Sequence, residues 1–260
     1  MRAVSGVFRS RSDAEHAVAE MRSTGMREDQ ITLLTPETAE TKKSVPTVGA
    51  EQPGMGKAVG AVLGGATGMG GAALIAAIPG VGPITAIGLL GAAFLSAAGA
   101  GVGAAAGGKL ENSMTKGLPH DELFVYEDAL RQGRSVVICF ADDEAKASHV
   151  RELLEAEGAE AVDAARDQWW IGLRGAEEES YSNSGRNFGN DEKFYRLGFE
   201  CALHAQARCK EYDQVMGEMT AKVEELEAAY PGAEVAEPFT RGYERGRDYY
   251  QEMCDKQKAA

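Results

Sequence analysis

The protein has 260 residues and a formal net charge of −13, from 27 lysines and arginines against 40 aspartates and glutamates. An excess of acid without any basic patch argues against nucleic acid as a partner. The four cysteines form no CxxC pair, which indicates reduced intracellular thiols and not a disulfide framework.

The first 36 residues are predicted to form a βαβ unit. The apolar residues at 3–8 predict a strand, and Ser10 or Ser12 can cap a helix that ends at Gly25. Residues 30–34 predict a second strand, which Pro36 closes.

A matching βαβ unit follows after about 100 residues. Residues 135–140 predict an apolar strand, Asp142 or Asp143 can cap the next helix, and Gly158 ends it before a possible strand at 161–164. Two such halves are what a ferredoxin-like sheet needs. We therefore predict an α+β fold in which residues 1–36 and 117–168 form one split, four-stranded antiparallel sheet with both helices on one face.

The residues between the halves are predicted to form a linker, 37–55, and a glycine-zipper helical hairpin, 56–110. Residues 58–108 contain no Asp, Glu, Lys, Arg or His. Small residues recur at every fourth position, and positions four apart share one face of a helix. Such rows let helices approach closely, so we predict self-association through Gly56, Gly60, Gly64, Gly68, Ala72, Gly99, Gly103 and Gly107. The predicted hairpin turn consists of Pro79, Gly80, Gly82 and Pro83.

Three environments remain open for this segment. Arms at 57–78 and 84–108 would each be long enough for the about 30 Å of a bilayer core, which favours a hairpin in the cytoplasmic membrane. Both ends would then face the cytoplasm, in agreement with the absence of a signal peptide. Glycine and alanine are only weakly hydrophobic, so the alternatives are a cytoplasmic homo-oligomer with the hairpin at its core and a loosely ordered segment.

The C-terminal part is predicted to be helical. Residues 169–190 are predicted to form a polar linker, and 191–260 a helical module with a long helix to 229, a break at Pro231–Gly232 and a helix at 237–256. A weak repeat relates residues 194–200 to 239–244. Its aromatic residues are predicted to face a partner surface, which would be a second site of self-association.

We find no catalytic, cofactor-binding or metal-binding constellation in the sequence. Residues 103–109 match most of a phosphate-binding loop, but Leu110 stands where the magnesium-binding hydroxyl is required. Cys201, His204 and Cys209 could suggest a metal site, but His204 and Cys209 point apart on one helix. The sequence therefore predicts a non-enzymatic protein without a cofactor.

The order of these parts resembles bacterial general stress proteins of the heat-induced type over about residues 1–166. The resemblance lies in the start Val4–Phe8, the turn Ile78–Pro83 and the returning strand at 133–137. It implies a stress-responsive, non-catalytic protein. Together with the predicted zipper, this predicts a stress-associated structural protein that self-assembles. A similar split layout occurs in a small membrane subunit of bacterial quinol-oxidising complexes, which implies an accessory subunit of a membrane redox complex as the alternative function.

Overall fold

The computed structural model describes residues 2–36, 73–78, 82–87, 121–183, 185–204 and 212–258. They form a mixed α/β structure with an antiparallel sheet. The chain divides into two units, one of residues 1–119 and 125–165, the other of residues 120–124 and 166–260.

The first unit begins with strand β1 (Arg2–Phe8), helix α1 (Arg11–Ser23) and strand β2 (Ile31–Pro36). The Ser10 side chain caps α1 by accepting a hydrogen bond from the amide of Asp13 at 3.1 Å. The helix ends before Gly25, whose φ of 93° is readily adopted only by glycine.

Two further strands, β3 (Ala73–Ile78) and β4 (Gly82–Ile87), precede helix α2 (Leu123–Arg131). These strands correct the predicted helical hairpin at the residues where the structure describes it. Residues 73–78 and 82–87 are extended and paired with each other, whereas the prediction placed 73–78 and 84–87 on two helical arms and 82–83 in the turn between them.

The second βαβ half comprises strand β5 (Ser135–Ala141), helix α3 (Glu144–Ala156) and strand β6 (Glu160–Ala161). Asp143 caps α3, because its carboxylate accepts a hydrogen bond from a backbone amide at 2.8 Å. The last strand is shorter than the predicted 161–164, since a helix begins at the residue after Ala161.

The sheet has the strand order β3-β4-β2-β5-β1-β6, and every neighbouring pair is antiparallel. Strands β1 and β5 pair along their whole length, from Arg2 opposite Ala141 to Phe8 opposite Ser135. The two βαβ halves therefore contribute alternate strands to one sheet.

Helices α1 and α3 cover one face of this sheet. Their buried side chains include Met21 and Leu154, which pack with Val4, Phe8 and Leu33 of the strands. The opposite face is buried as well, and there the Tyr126 hydroxyl of α2 donates a hydrogen bond to Ser5 Oγ at 2.9 Å. Burial on both faces explains why β5 is apolar at nearly every position.

The second unit contains most of helix α4 (Val162–Ser182), together with helices α5 (Phe188–Leu203), α6 (Tyr212–Ala229) and α7 (Ala236–Lys258). Helix α4 occupies most of the stretch 169–190, so the predicted linker is wrong there. The predicted single helix over 191–229 is interrupted at His204, whose φ of −62° and ψ of 139° are extended.

Candidate functional site: the uncharged edge of the sheet

Most residues of the predicted glycine zipper lie outside the described residues. These are Gly56, Gly60, Gly64, Gly68, Ala72, Gly99, Gly103 and Gly107, together with Pro79 and Gly80 of the predicted turn. The two remaining turn residues, Gly82 and Pro83, begin strand β4. Within the uncharged stretch 58–108, the structure therefore describes a pair of strands.

Strands β3 and β4 extend the sheet beyond β2. Ile78 and Gly82 face each other at the end of the ladder. Strand β4 lies between β3 and β2, and its residues Ile84, Thr85 and Ala86 are buried. Strand β3 is the terminal strand, so one of its edges is paired with no described strand.

The two ends of the sheet differ in length and charge. At one end, β6 has two residues and carries Glu160, whose carboxylate forms an ion pair with Arg134. At the other end, β3 has six residues, none of them charged. Proteins commonly protect open edges with short strands or charged side chains, because a long uncharged edge is a template for another strand. Within the part of the chain that the structure describes, the β3 edge has neither protection.

A row of hydroxyl groups crosses the sheet next to this edge. Thr35 of β2 lies opposite Thr85 of β4, and the register of β2 with β5 puts Ser135 in the same row. All three side chains are buried, and their hydroxyl oxygens have no hydrogen-bond partner among the described residues. An unsatisfied buried polar group destabilises a fold by about 1–3 kcal/mol.

Glycine contacts of the kind predicted for the zipper occur in the second unit. A Cβ atom on Gly198 of α5 would lie 1.9 Å from the carbonyl oxygen of Phe239, and one on Gly242 of α7 would lie 1.9 Å from that of Tyr195. Each glycine thus contacts the residue three positions before the other glycine. The repeat seen in the sequence is therefore an intramolecular helix crossing with local two-fold symmetry.

The repeat does not form the predicted second surface for self-association. The aromatic side chains assigned to that surface are buried within the second unit, where Phe194, Phe239 and Tyr243 share a core with residues of α6. Since these side chains contact the chain itself, they are not available to another copy.

Two tyrosines connect α4 and α5 in a reciprocal manner. The Tyr195 hydroxyl of α5 donates a hydrogen bond to Glu177 of α4 at 2.8 Å, and the Tyr181 hydroxyl of α4 donates one to Asp191 of α5 at 2.7 Å. The two rings meet edge to face, with centroids 4.9 Å apart. On each helix the carboxylate precedes the tyrosine by four positions, as Glu177 does Tyr181 and Asp191 does Tyr195, so the sequence signal is a carboxylate followed four positions later by tyrosine.

Arginines complete both tyrosine–carboxylate pairs, and the phenols remain protonated. Arg245 lies 3.2 Å from Glu177, and Arg186 lies 2.9 Å from Asp191. Burial is the main cause that raises the pKa of Tyr181 to about 12, and burial raises the pKa of Tyr195 further above its ordinary value. The two phenols therefore act as hydrogen-bond donors that hold α4 and α5 together. The sequence does not predict this role, because each tyrosine and its carboxylate partner lie on different helices.

The described thiols are not arranged for nucleophilic or metal chemistry. Burial raises the pKa of Cys139 to about 12 and that of Cys201 to about 11, so both remain protonated at neutral pH. No group of three metal-ligating side chains occurs in the part of the chain that the structure describes. His204 stacks on Phe124 with ring centroids 6.4 Å apart, and Cys209 lies outside the described residues.

None of the helices within the described ranges is both long enough and apolar enough to cross a bilayer. No protein-family model matches the chain, and no curated protein or solved structure shows significant similarity to it. The sheet edge is thus interpreted from its own geometry and composition.

Proposed function

We propose that the protein is a non-catalytic structural protein that self-associates through its uncharged segment, with further copies of itself as the partner. The observation that carries this proposal is the absence of charge over residues 58–108, whose described part forms the uncharged strands at the open end of the sheet. About one quarter of the whole chain is charged. A long segment without charge in such a chain is best stabilised when another surface covers it.

We propose that the protein assembles in solution, in preference to the alternative of insertion into a membrane. Strand β3 begins at Ala73, so the uncharged residues before it are 58–72 only. A transmembrane helix needs about 20 consecutive apolar residues. The first predicted arm therefore falls short of a span, which favours the homo-oligomer with the segment at its core.

The fold and the chemistry of the described residues support a structural role. The order β6-β1-β5-β2, with α1 and α3 on one face, supports assignment of this part of the sheet to a split ferredoxin-like fold. The buried carboxylates Glu177 and Asp191 of the second unit are engaged with Tyr195 and Tyr181 and with arginines. An association with stress is supported by the resemblance of the N-terminal 166 residues alone.

The experiment is to measure the size and the location of the full-length protein. Membranes are separated after expression, and light scattering coupled to size exclusion gives the mass in detergent-free buffer and in detergent. We expect a particle of several copies in detergent-free buffer. A protein found in the membrane pellet and extracted only by detergent would support the inserted form, and co-purification with haem or iron–sulfur proteins would support the accessory subunit.

A paired set of variants tests whether the uncharged segment makes the contact. The double variant Gly60→Leu/Gly64→Leu adds two large side chains to that segment, and we expect it to lose the assembled state or to aggregate. The control is Gly172→Leu/Gly175→Leu on α4, where an added Cβ would meet no atom within 4 Å. A monomeric wild type, or equal sizes for wild type and the Gly60/Gly64 variant, would refute the proposal.

A further inference from the structure

We infer that β3 pairs with β3 of a second copy around a two-fold axis, so that the two sheets join edge to edge into one. The inference rests on the proposed self-association and specifies its partner and its geometry. Addition of a strand to an open sheet edge is a common mode of recognition, in which backbone hydrogen bonds supply the binding energy. The terminal position of β3 and its lack of charge carry the argument.

The position of a proline shows which backbone groups face the open edge. Pro83 lies opposite Ala77 in the ladder of β3 and β4. Proline has no amide hydrogen, so this pair fits the non-hydrogen-bonded position of an antiparallel ladder. Because the two kinds of pair alternate, the amide and carbonyl groups of Ala73, Ile75 and Ala77 point away from β4, toward the open edge.

Two-fold symmetry then restricts the register of the pairing. Residues whose backbone groups point outward must face outward-pointing residues of the second copy. Two registers then give nearly complete overlap of the strands. In one, Ile75 faces Ile75 of the second copy, and in the other, Ala76 faces Ala76 of the second copy. In either register β3 contributes hydrogen bonds along most of its length.

The lack of charge explains why the occupant is a second copy. At a two-fold axis each residue near the axis faces a residue of the same strand, so any charge in β3 would lie close to a like charge. Strand β3 carries none, whereas the opposite edge of the sheet carries Glu160 and is formed by only two residues. Pairing with a second copy is thus compatible with the β3 edge and disfavoured at the β6 edge.

Disulfide trapping in the full-length protein tests the register. Cys201, Cys209 and Cys254 are replaced by serine, while Cys139 is kept because it is buried in the core with a raised pKa. In these registers Ile75→Cys or Ala76→Cys would bring two Cα atoms to about 4.5–5.5 Å, within the range for a disulfide. We expect a covalent dimer from at least one of them under mild oxidation. The control, Ala164→Cys at an exposed position of α4, should stay monomeric in denaturing electrophoresis.

A proline variant tests the backbone hydrogen bonds. Ile75→Pro removes an outward amide and leaves the bonds between β3 and β4 in place, since proline is tolerated on an edge strand when its nitrogen faces outward. We expect the dissociation constant of the dimer to rise about tenfold or more, with Ile75→Val close to wild type. Circular dichroism verifies that the proline variant is folded, and if it is not, the disulfide result decides.

The outcomes separate the two proposals. A wild type that is monomeric at all concentrations overturns both the proposed function and the pairing. An oligomeric wild type in which neither cysteine variant forms the covalent dimer overturns the β3 pairing alone. An oligomer supports both when its disulfide at position 76 is lost on adding Ile75→Pro, or its disulfide at position 75 is lost on adding Ala77→Pro, since both prolines replace outward-pointing amides.

Discussion

Replacement of Gly198 by alanine should destabilise the second unit, although alanine is the better helix former. The added methyl group would lie 1.9 Å from the carbonyl oxygen of Phe239, 2.8 Å from its carbonyl carbon and 3.0 Å from the amide nitrogen of Tyr243. All three atoms belong to the backbone of α7, so no change of side-chain rotamer can relieve the clash. The two helices must therefore move apart.

The net effect follows from two opposing contributions. Overpacking of a tight contact typically destabilises a protein by about 1–3 kcal/mol, and separation by 0.5–1 Å weakens the remaining dispersion contacts along the crossing. Alanine in place of glycine stabilises a helix by about 1 kcal/mol. Because the clash involves backbone on both sides, we expect the upper part of the range and a net loss of about 2 kcal/mol in the free energy of unfolding.

Urea unfolding monitored by tryptophan fluorescence measures the change in the free energy of unfolding of the second unit. The protein has two tryptophans, Trp169 and Trp170, and both lie in the second unit. The control is Gly217→Ala on α6, where an added Cβ meets no atom within 4 Å and a gain of about 1 kcal/mol is expected. A Gly198→Ala variant as stable as the Gly217→Ala variant would refute the backbone contact.

Three further predictions concern single contacts. Glu157 raises the pKa of His16 through a 2.5 Å hydrogen bond, so the stabilisation is fully present below the ordinary pKa of 6.5 and is lost as pH rises through the higher folded pKa. The difference in urea midpoint between wild type and His16→Gln should therefore shrink between about pH 5.5 and about pH 8.5. A difference that does not change with pH would contradict the pairing. Thr85→Val removes a buried hydroxyl that has no hydrogen-bond partner among the described residues, and it should raise the free energy of unfolding by about 1 kcal/mol. A lower free energy of unfolding in calorimetry or urea unfolding would show that the hydroxyl has a partner. Tyr195→Phe removes a donor to buried Glu177 and should lower the free energy of unfolding by about 2 kcal/mol, whereas an unchanged urea midpoint would show that the hydrogen bond is not stabilising.

The βαβ halves could be predicted from the sequence because their signals are local. Ser10 and Asp143 cap their helices through their own side chains, and Gly25 and Gly158 take the positive φ that ends them. Such features depend on residues within a few positions of one another.

The described part of the uncharged segment forms strands although its small-residue pattern predicts helices, because the period of that pattern is ambiguous. Positions four apart share one side of a helix, but they also share one face of a strand, whose period is two. The residues that decide the matter are Ile75, Ile78, Ile84, Thr85 and Ile87, since branching at Cβ favours a strand. Their pairing with β2 adds stabilisation that a local pattern does not contain.

The second unit was harder to predict because its contacts join distant residues. The polar composition of α4 is typical of a linker, but its polar residues Glu177 and Tyr181 form hydrogen bonds to α5. The glycine repeat was visible in the sequence, whereas the contact of Gly198 with Phe239 depends on the chain folding back over α6. A sequence pattern identifies such residues without specifying what they contact.

Hydrogen exchange of the backbone amides at residues 73–78, followed as a function of protein concentration, tests the central claim most directly. If β3 pairs with a second copy, the amides of Ala73, Ile75 and Ala77 should exchange fast in dilute protein and slow down as the dimer forms. The amides of the same strand that bond to β4 should show much weaker dependence on concentration. Exchange at the outward amides that stays equal at every concentration would contradict self-association at this edge.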